Sequence, residues 1–304
     1  MEICSNSKDV VKIFKNIKDI SISNNPDDGN VNIFMCPINA RKFDYNKISS
    51  VLVDAVIDYA LSKRTIKCYK GKYGTLSQQA RSKLRKHIEN NGELGELLLF
   101  CFLEGHLGAP KILTKLEMKT SNNMYVNGSD GVHLLKINND RYKIIFGESK
   151  LYNNLLRALR NAFESIYQFV REVNSSGEYK SGIIFEKSLI SSNIENGDFS
   201  KKDKEILESI IYPSRGDASL NIDDAFSIFI GYEVDISKET KDCSDEQFYE
   251  VVKEKILSEL KEIEHILYDK ICNKKLLGHS FYVYIVPFTD IDNTRKNILE
   301  DILK

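Results

Sequence analysis

The longest unbroken apolar run in this 304-residue sequence, Leu97 to Leu103, is seven residues, far short of the roughly 18 that span a bilayer. The beginning, MEICSNSKDVVKIF, has no apolar core of a secretory signal. Both absences lead us to expect a cytoplasmic protein. No Cys-x-x-Cys pair occurs: Cys4, Cys36, Cys68, Cys101, Cys243 and Cys272 stand singly, so neither a disulfide framework nor a zinc site is signalled, and reduced thiols are expected. The flanks of the first four share nothing, so their near-even spacing marks no repeat. A Gly-rich phosphate loop is missing, which argues against self-contained nucleotide hydrolysis. No low-complexity linker divides the chain. With 42% hydrophobic and 29% charged residues it has an ordinary globular composition, long enough for a sizeable core in one elaborated domain or two.

One absence is local. From Tyr59 to Ile88 there is no Asp or Glu, while Lys63, Arg64, Lys67, Lys70, Lys72, Arg81, Lys83, Arg85 and Lys86 supply nine positive charges. Such a stretch suits a polyanion, and Tyr69 and Tyr73 within it could stack on bases. Lys63, Arg64, Lys70, Lys72, Arg81, Lys83, Arg85 and Lys86 are therefore the candidate nucleic-acid contacts, although a solvated lysine-rich helix face has the same composition. From Glu233 to Lys270 the balance reverses, with twelve acidic residues against six basic ones, so the net charge of −1 hides a segregated chain.

Periodicity gives the element order. The first 45 residues alternate short apolar runs with polar turns, which predicts strands and a loop at Pro26 to Gly29. A helix is predicted over 47–63, with Ile48, Val51, Leu52, Ala55, Val56 and Tyr59 on one face, and a second, basic helix over 75–91 after the Gly71–Gly74 break. From Gly92 the pattern reads as a helix (GELGELLLFCFLEGHLG), a strand (KILTKLEMKT), a turn into a second strand (NMYVNGSDGVHLLKI), a third strand (RYKIIFGESK), an amphipathic helix over 151–173, and a strand (SGIIFEKSLI). A polar helix near 200–211, a strand AFSIFIGYEV, a charged helix over about 245–272, a strand SFYVYIVPF and a closing helix complete it. The 245–272 helix carries an apolar stripe suited either to core packing or to docking a partner. The expected architecture is α/β, a mixed sheet flanked by helices, with an N-terminal extension over 1–90 and a domain over 91–304.

The strand KIIFGESK ends on two opposite charges. Strand side chains alternate, so Glu148 and Lys150 share a face, about 7 Å apart along the chain. Alone they read as a solvated strand end, with an ion pair contributing at most about 1 kcal/mol. Two further carboxylates change the reading: Asp130, opening the preceding strand, and Glu96 in the helix. Each has a plainer alternative, since Asp130-Gly131 is a common hairpin dipeptide and Glu93 rivals Glu96 one turn earlier. Taken together they are the kit of a metal-dependent phosphodiesterase. Mg²⁺, with Mn²⁺ as a substitute, takes oxygen ligands, for which Asp130, Glu148 and the main-chain carbonyl of Ser149 suffice. The ion neutralises phosphate and acidifies a bound water. Lys150 is placed to orient or deprotonate that water and to offset developing charge, and Glu96 to assist. His133 and Arg157 lie nearby in sequence, but their types say little.

These residues in this order resemble the PD-(D/E)XK nuclease superfamily, whose helix-strand-strand-strand-helix-strand core carries an acidic residue on the helix, an Asp on the second strand and Glu-x-Lys on the third. The resemblance covers a core of about 91–187, leaving 188–304 as elaboration, and Ser129 stands where the family has proline. More narrowly, GELGELLLFCFLEG, GSDGVHLL, FGESKLYNNLLRALRNAFESI and the late YVYIVPF are similar to the HamA family, nuclease subunits of the Hachiman anti-phage defence system, over most of the chain. That resemblance implies a DNA endonuclease or nickase of broad sequence tolerance, controlled by a helicase partner, HamB, that surveys DNA. Two other readings stay open: a non-catalytic DNA-binding or scaffold subunit of a helicase complex, and a restriction or junction-resolving nuclease of the same superfamily.

Overall fold

The structure is a computed structural model that describes residues 1–22, 28–85, 92–118, 128–194, 199–212, 220–237 and 243–304. Seven strands build one sheet: β1 (Lys15–Ser21), β2 (Gly29–Met35), β5 (Lys111–Thr114), β6 (Gly131–Lys136), β7 (Arg141–Leu151), β8 (Asn221–Glu233) and β9 (Ser280–Phe288). Two short strands, β3 (Ile38–Asn39) and β4 (Lys42–Phe43), form a separate hairpin. The sheet order is β1-β2-β9-β8-β7-β6-β5. β2, β9, β8 and β7 run parallel, while β1, β6 and β5 pair antiparallel with their neighbours. Central parallel strands are covered on both faces and so carry continuous apolar runs, of which β9, buried along its whole length, is the clearest. This is the mixed sheet flanked by helices expected from sequence.

The two faces of β7 meet different helices. Gly147 and Ser149 turn toward α5 (Glu93–Gly105): a Cβ on Gly95 would stand 2.4 Å from Leu151 Cδ1 and 3.1 Å from Ser149 Oγ, so glycine is what lets helix and strand approach this closely. Phe146 on the opposite face packs against Phe169 of α7 (Leu155–Arg171), ring centroids 5.1 Å apart. α5 is buried on all sides from Glu93 to Glu104, because α1 (Ser5–Ile13), α2 (Tyr45–Ala60) and α12 (Ile291–Leu303) cover the side that the sheet does not. That explains its near-continuous apolar sequence.

Several elements differ from the sequence expectation. The first apolar run is the helix α1, with Val10 fully buried, and not a strand. A short helix, α3 (Lys63–Cys68), precedes α4 (Tyr73–Arg85). The expected strand from Lys111 stops at Thr114 and continues as a one-turn helix, α6 (Lys115–Met118); its last two residues lie outside those described, as does Lys86. SGIIFEKSLI is not a strand but the start of α8 (Ile183–Ile194). A short apolar run of this kind is ambiguous between the two states, and here Glu186 and Ile190, four apart, are the fully buried pair, as a helix face requires. After α9 (Lys201–Ile211) the chain returns to the sheet as β8, beside β7.

The charged helix over 245–272 is two helices, α10 (Asp245–Glu259) and α11 (Ile263–Asn273). Of the apolar stripe Phe248, Val251, Val252, Ile256, Leu260, Ile263 and Leu267, all but the half-buried Val251 are buried in the core, so core packing is its role. Among the described residues no helix is long and apolar enough to cross a membrane.

Candidate active site at the ends of β6 and β7

β7 carries Glu148 and Lys150 onto the face covered by α7, where they form an ion pair. Asp130, just before β6, is anchored across the strands: its N–H donates to Gly147 O at 2.8 Å, and its Oδ2 accepts the Ser149 N–H at 2.7 Å and the Ser149 hydroxyl at 2.8 Å. The preceding residue is pinned as well, since Ser129 N–H donates to Oε1 of the fully buried Glu186 at 2.6 Å. On the α5 side, Lys115 Nζ lies 3.1 Å from Asp130 Oδ1 and 3.5 Å from Glu96 Oε1, and Tyr59 OH donates to Glu96 Oε2 at 3.0 Å.

These charges shape one another's protonation. Burial pushes Asp130 up, but Lys115, Lys150 and the Ser149 hydrogen bonds outweigh it and hold the carboxyl below its usual range. Glu148 goes the other way: burial and then the Asp130 charge raise it, and the two lysines recover only part. Burial lowers Lys150, yet Glu148 and Asp130 keep its ammonium above the ordinary lysine value. Lys115 is raised chiefly by Asp130, with Glu96 adding to it against burial. Three carboxylates thus face two ammonium groups, and the residual repulsion falls on Glu148.

A cavity of about 170 Å³ opens here, lined by Lys115, Asp130, Glu148 and Lys150 together with Ser165 and Lys180 among others. It holds room for roughly six waters at about 30 Å³ each. Of the residues singled out in the sequence, Asp130, Glu148 and Lys150 share this cavity. Glu96 joins them through Lys115 from the far side of the strand ends. Glu93 is also buried on α5, beside Tyr59, while the Lys115 ion pair and the Tyr59 hydrogen bond given above are made by Glu96. Ser149 enters through its N–H and hydroxyl, gripping Asp130. His133 is buried elsewhere, with Nδ1 2.8 Å from Ala109 O, and burial lowers it to about 4. Arg157 stacks over Tyr152.

Lys115, Glu186 and Tyr59 were not found from sequence. Lys115 reads as the middle of a strand, Glu186 sits in a run with strand-like composition, and Tyr59 lies on an apolar helix face; none of them stands in a recognisable motif.

The basic segment is not one continuous face. Lys83 Nζ donates to Ala60 O at 3.2 Å and Arg85 to Leu303 O at 3.1 Å, so both cap helix C-termini, those of α2 and α12. Lys63 donates to Glu2 O at 2.6 Å, and Arg81 is half-buried. Arg64, Lys70 and Lys72 are exposed.

Compared with known families, the chain matches the family model described as HamA over residues 11–302. No curated protein matches it.

Proposed function

The chain belongs to the HamA family, a component of Hachiman anti-phage defence, and from that premise we propose that it is a divalent-metal-dependent DNA nuclease, an endonuclease or nickase, restrained and directed by a helicase partner, HamB. The observation that carries this reading is the shared cavity of Asp130, Glu148 and Lys150, backed by Glu96 through Lys115.

The donor chemistry fits Mg²⁺ or Mn²⁺. Two carboxylates that repel each other across one small cavity suit a hard cation, and the Ser149 carbonyl is the third oxygen we assign to it. Such an ion supplies charge neutralisation at phosphate and an acidified water. The chain's own part is positioning. Ser149 and Glu186 fix Asp130, and Lys115 keeps Asp130 and Glu96 from repelling each other. Lys150, held as an ammonium by its neighbours, orients the attacking water and stabilises charge that develops on the phosphate. The exposed Arg64, Lys70 and Lys72 take the DNA backbone, a contact without sequence preference. Without a nucleotide-binding loop of its own, the nuclease depends on its partner for control.

The alternative is a non-catalytic DNA-binding or scaffold subunit of a helicase complex. Calorimetric titration with Mn²⁺ separates the two. A nuclease binds the ion and loses binding in Asp130→Asn, whereas a scaffold gives no heat in either form. Plasmid cleavage by the chain with and without its helicase, with and without ATP, then tests control; equal cutting of intact plasmid in all four cases removes the restraint from the proposal.

A further inference from the structure

The carboxylate side of the cavity is poorly made to receive an anion unaided. Both lysines on it are engaged, Lys115 with Asp130 and Glu96, and Lys150 with Glu148. Lys180 lines the same cavity, and among the described residues it makes no ion pair and no side-chain hydrogen bond. An unengaged cation on a cavity that also carries two carboxylates needs a reason to be held where it is, and the backbone provides the holding.

Lys180 ends a tight hairpin that leaves α7 through Glu172, whose φ of +55° turns the chain back on itself. Lys180 N–H donates to Glu172 O at 2.7 Å and Asn174 N–H to Glu178 O at 2.8 Å. Asn174 Oδ1 accepts the N–H groups of Ser176 and Glu178, both at 2.9 Å. Two residues on, Gly182 lies so close to α7 that a Cβ there would stand 2.2 Å from Phe169 O. The hairpin is therefore fixed against α7 on both sides of Lys180, and α7 itself brings Ser165 to the same wall.

We propose that Lys180 is the phosphate-contact residue of this cavity: its ammonium takes a non-bridging oxygen of the phosphodiester lying against Asp130 and Glu148, with the Ser165 hydroxyl as a second donor. The inference rests on the nuclease reading and adds the substrate-binding wall that reading lacks. The contact is to a backbone phosphate oxygen and so carries no sequence information.

The test uses the full chain and three forms: wild type, Lys180→Met, which keeps the apolar stem without the charge, and Lys180→Arg. DNA binding is followed over a salt series in EDTA, and cleavage in Mn²⁺. The Met variant should bind more weakly, with the log-log salt slope shallower by about 0.7 on single strands or 0.9 on duplex. Its cleavage should fall most at sub-saturating DNA, while Mn²⁺ binding stays at the wild-type value. The Arg variant should recover both affinity and slope. An unchanged slope in the Met variant, or an Arg variant as impaired as Met, overturns the assignment. Wild type that cuts no DNA under any condition sinks the nuclease reading instead, and the salt slopes still decide the role of Lys180.

Discussion

Ser149 holds Asp130 twice, through its N–H at 2.7 Å and its hydroxyl at 2.8 Å, both on the same carboxylate oxygen. The x of Glu-x-Lys is thus the residue that fixes the aspartate. Hydrogen bonds to a buried charge contribute about 1.5–3 kcal/mol each. Ser149→Ala keeps the N–H bond and loses the hydroxyl, so cleavage should fall about tenfold or more, with Mn²⁺ affinity lowered and the circular dichroism spectrum unchanged. Wild-type turnover in that variant would show that the hydroxyl does not matter.

Glu186 should behave as a positioning residue. Glu186→Ala leaves the Ser129 N–H without its acceptor in a buried place, at a cost of about 1–3 kcal/mol in stability, and lets Asp130 move. Glu186→Gln retains an acceptor oxygen. Cleavage rates should rank wild type, then Gln, then Ala, with the differences in kcat and not in DNA affinity. Equal activity of the Ala variant at temperatures where it stays folded would separate α8 from the site.

The two cavity carboxylates should pull stability in opposite directions with pH. Glu148 is raised, so as pH falls toward the ordinary glutamate value of about 4.3 the folded state takes up the proton before the unfolded one, and stability rises. Asp130 is depressed, so below about 3.9 the unfolded state protonates first and the stability Asp130 contributes above that value is lost. Urea midpoints across this range should show Glu148→Gln abolishing the gain and Asp130→Asn abolishing the loss. Both variants tracking wild type at every pH would contradict the coupling.

The basic segment should divide into two classes. Lys83→Met and Arg85→Met remove helix C-terminal contacts, costing about 0.3–1 kcal/mol of stability each, with little change in DNA affinity. Neutralising the exposed Arg64, Lys70 and Lys72 should leave stability alone and flatten the duplex salt slope by about 0.9 for each phosphate that is no longer neutralised. A reversed pattern in melting and binding measurements would return Lys83 and Arg85 to the DNA surface.

Much of this was legible because strand alternation is rigid. Once KIIFGESK is a strand, Glu148 and Lys150 must share a face, and the helix and strands before it bring Glu96 and Asp130 to the same end. The remainder was hidden where a residue's role depends on something distant. Lys115 matters only because β5 ends at Thr114, where that hydroxyl donates to Tyr59 O. Glu186 could be found only by reading IIFEKSLI as a helix, and its composition favours a strand. Lys83 and Arg85 looked like DNA contacts because nothing local shows that the carbonyl ends of α2 and α12 lie beside them.

The most direct measurement is conversion of supercoiled plasmid by the chain with its helicase and ATP in Mg²⁺, comparing wild type with folded Glu148→Ala. The expected result is nicked or linear product from wild type, none in excess EDTA, and none from Glu148→Ala with or without metal. Cleavage by Glu148→Ala at the wild-type rate, or by wild type in EDTA, would contradict the placement of the chemistry at the end of β7.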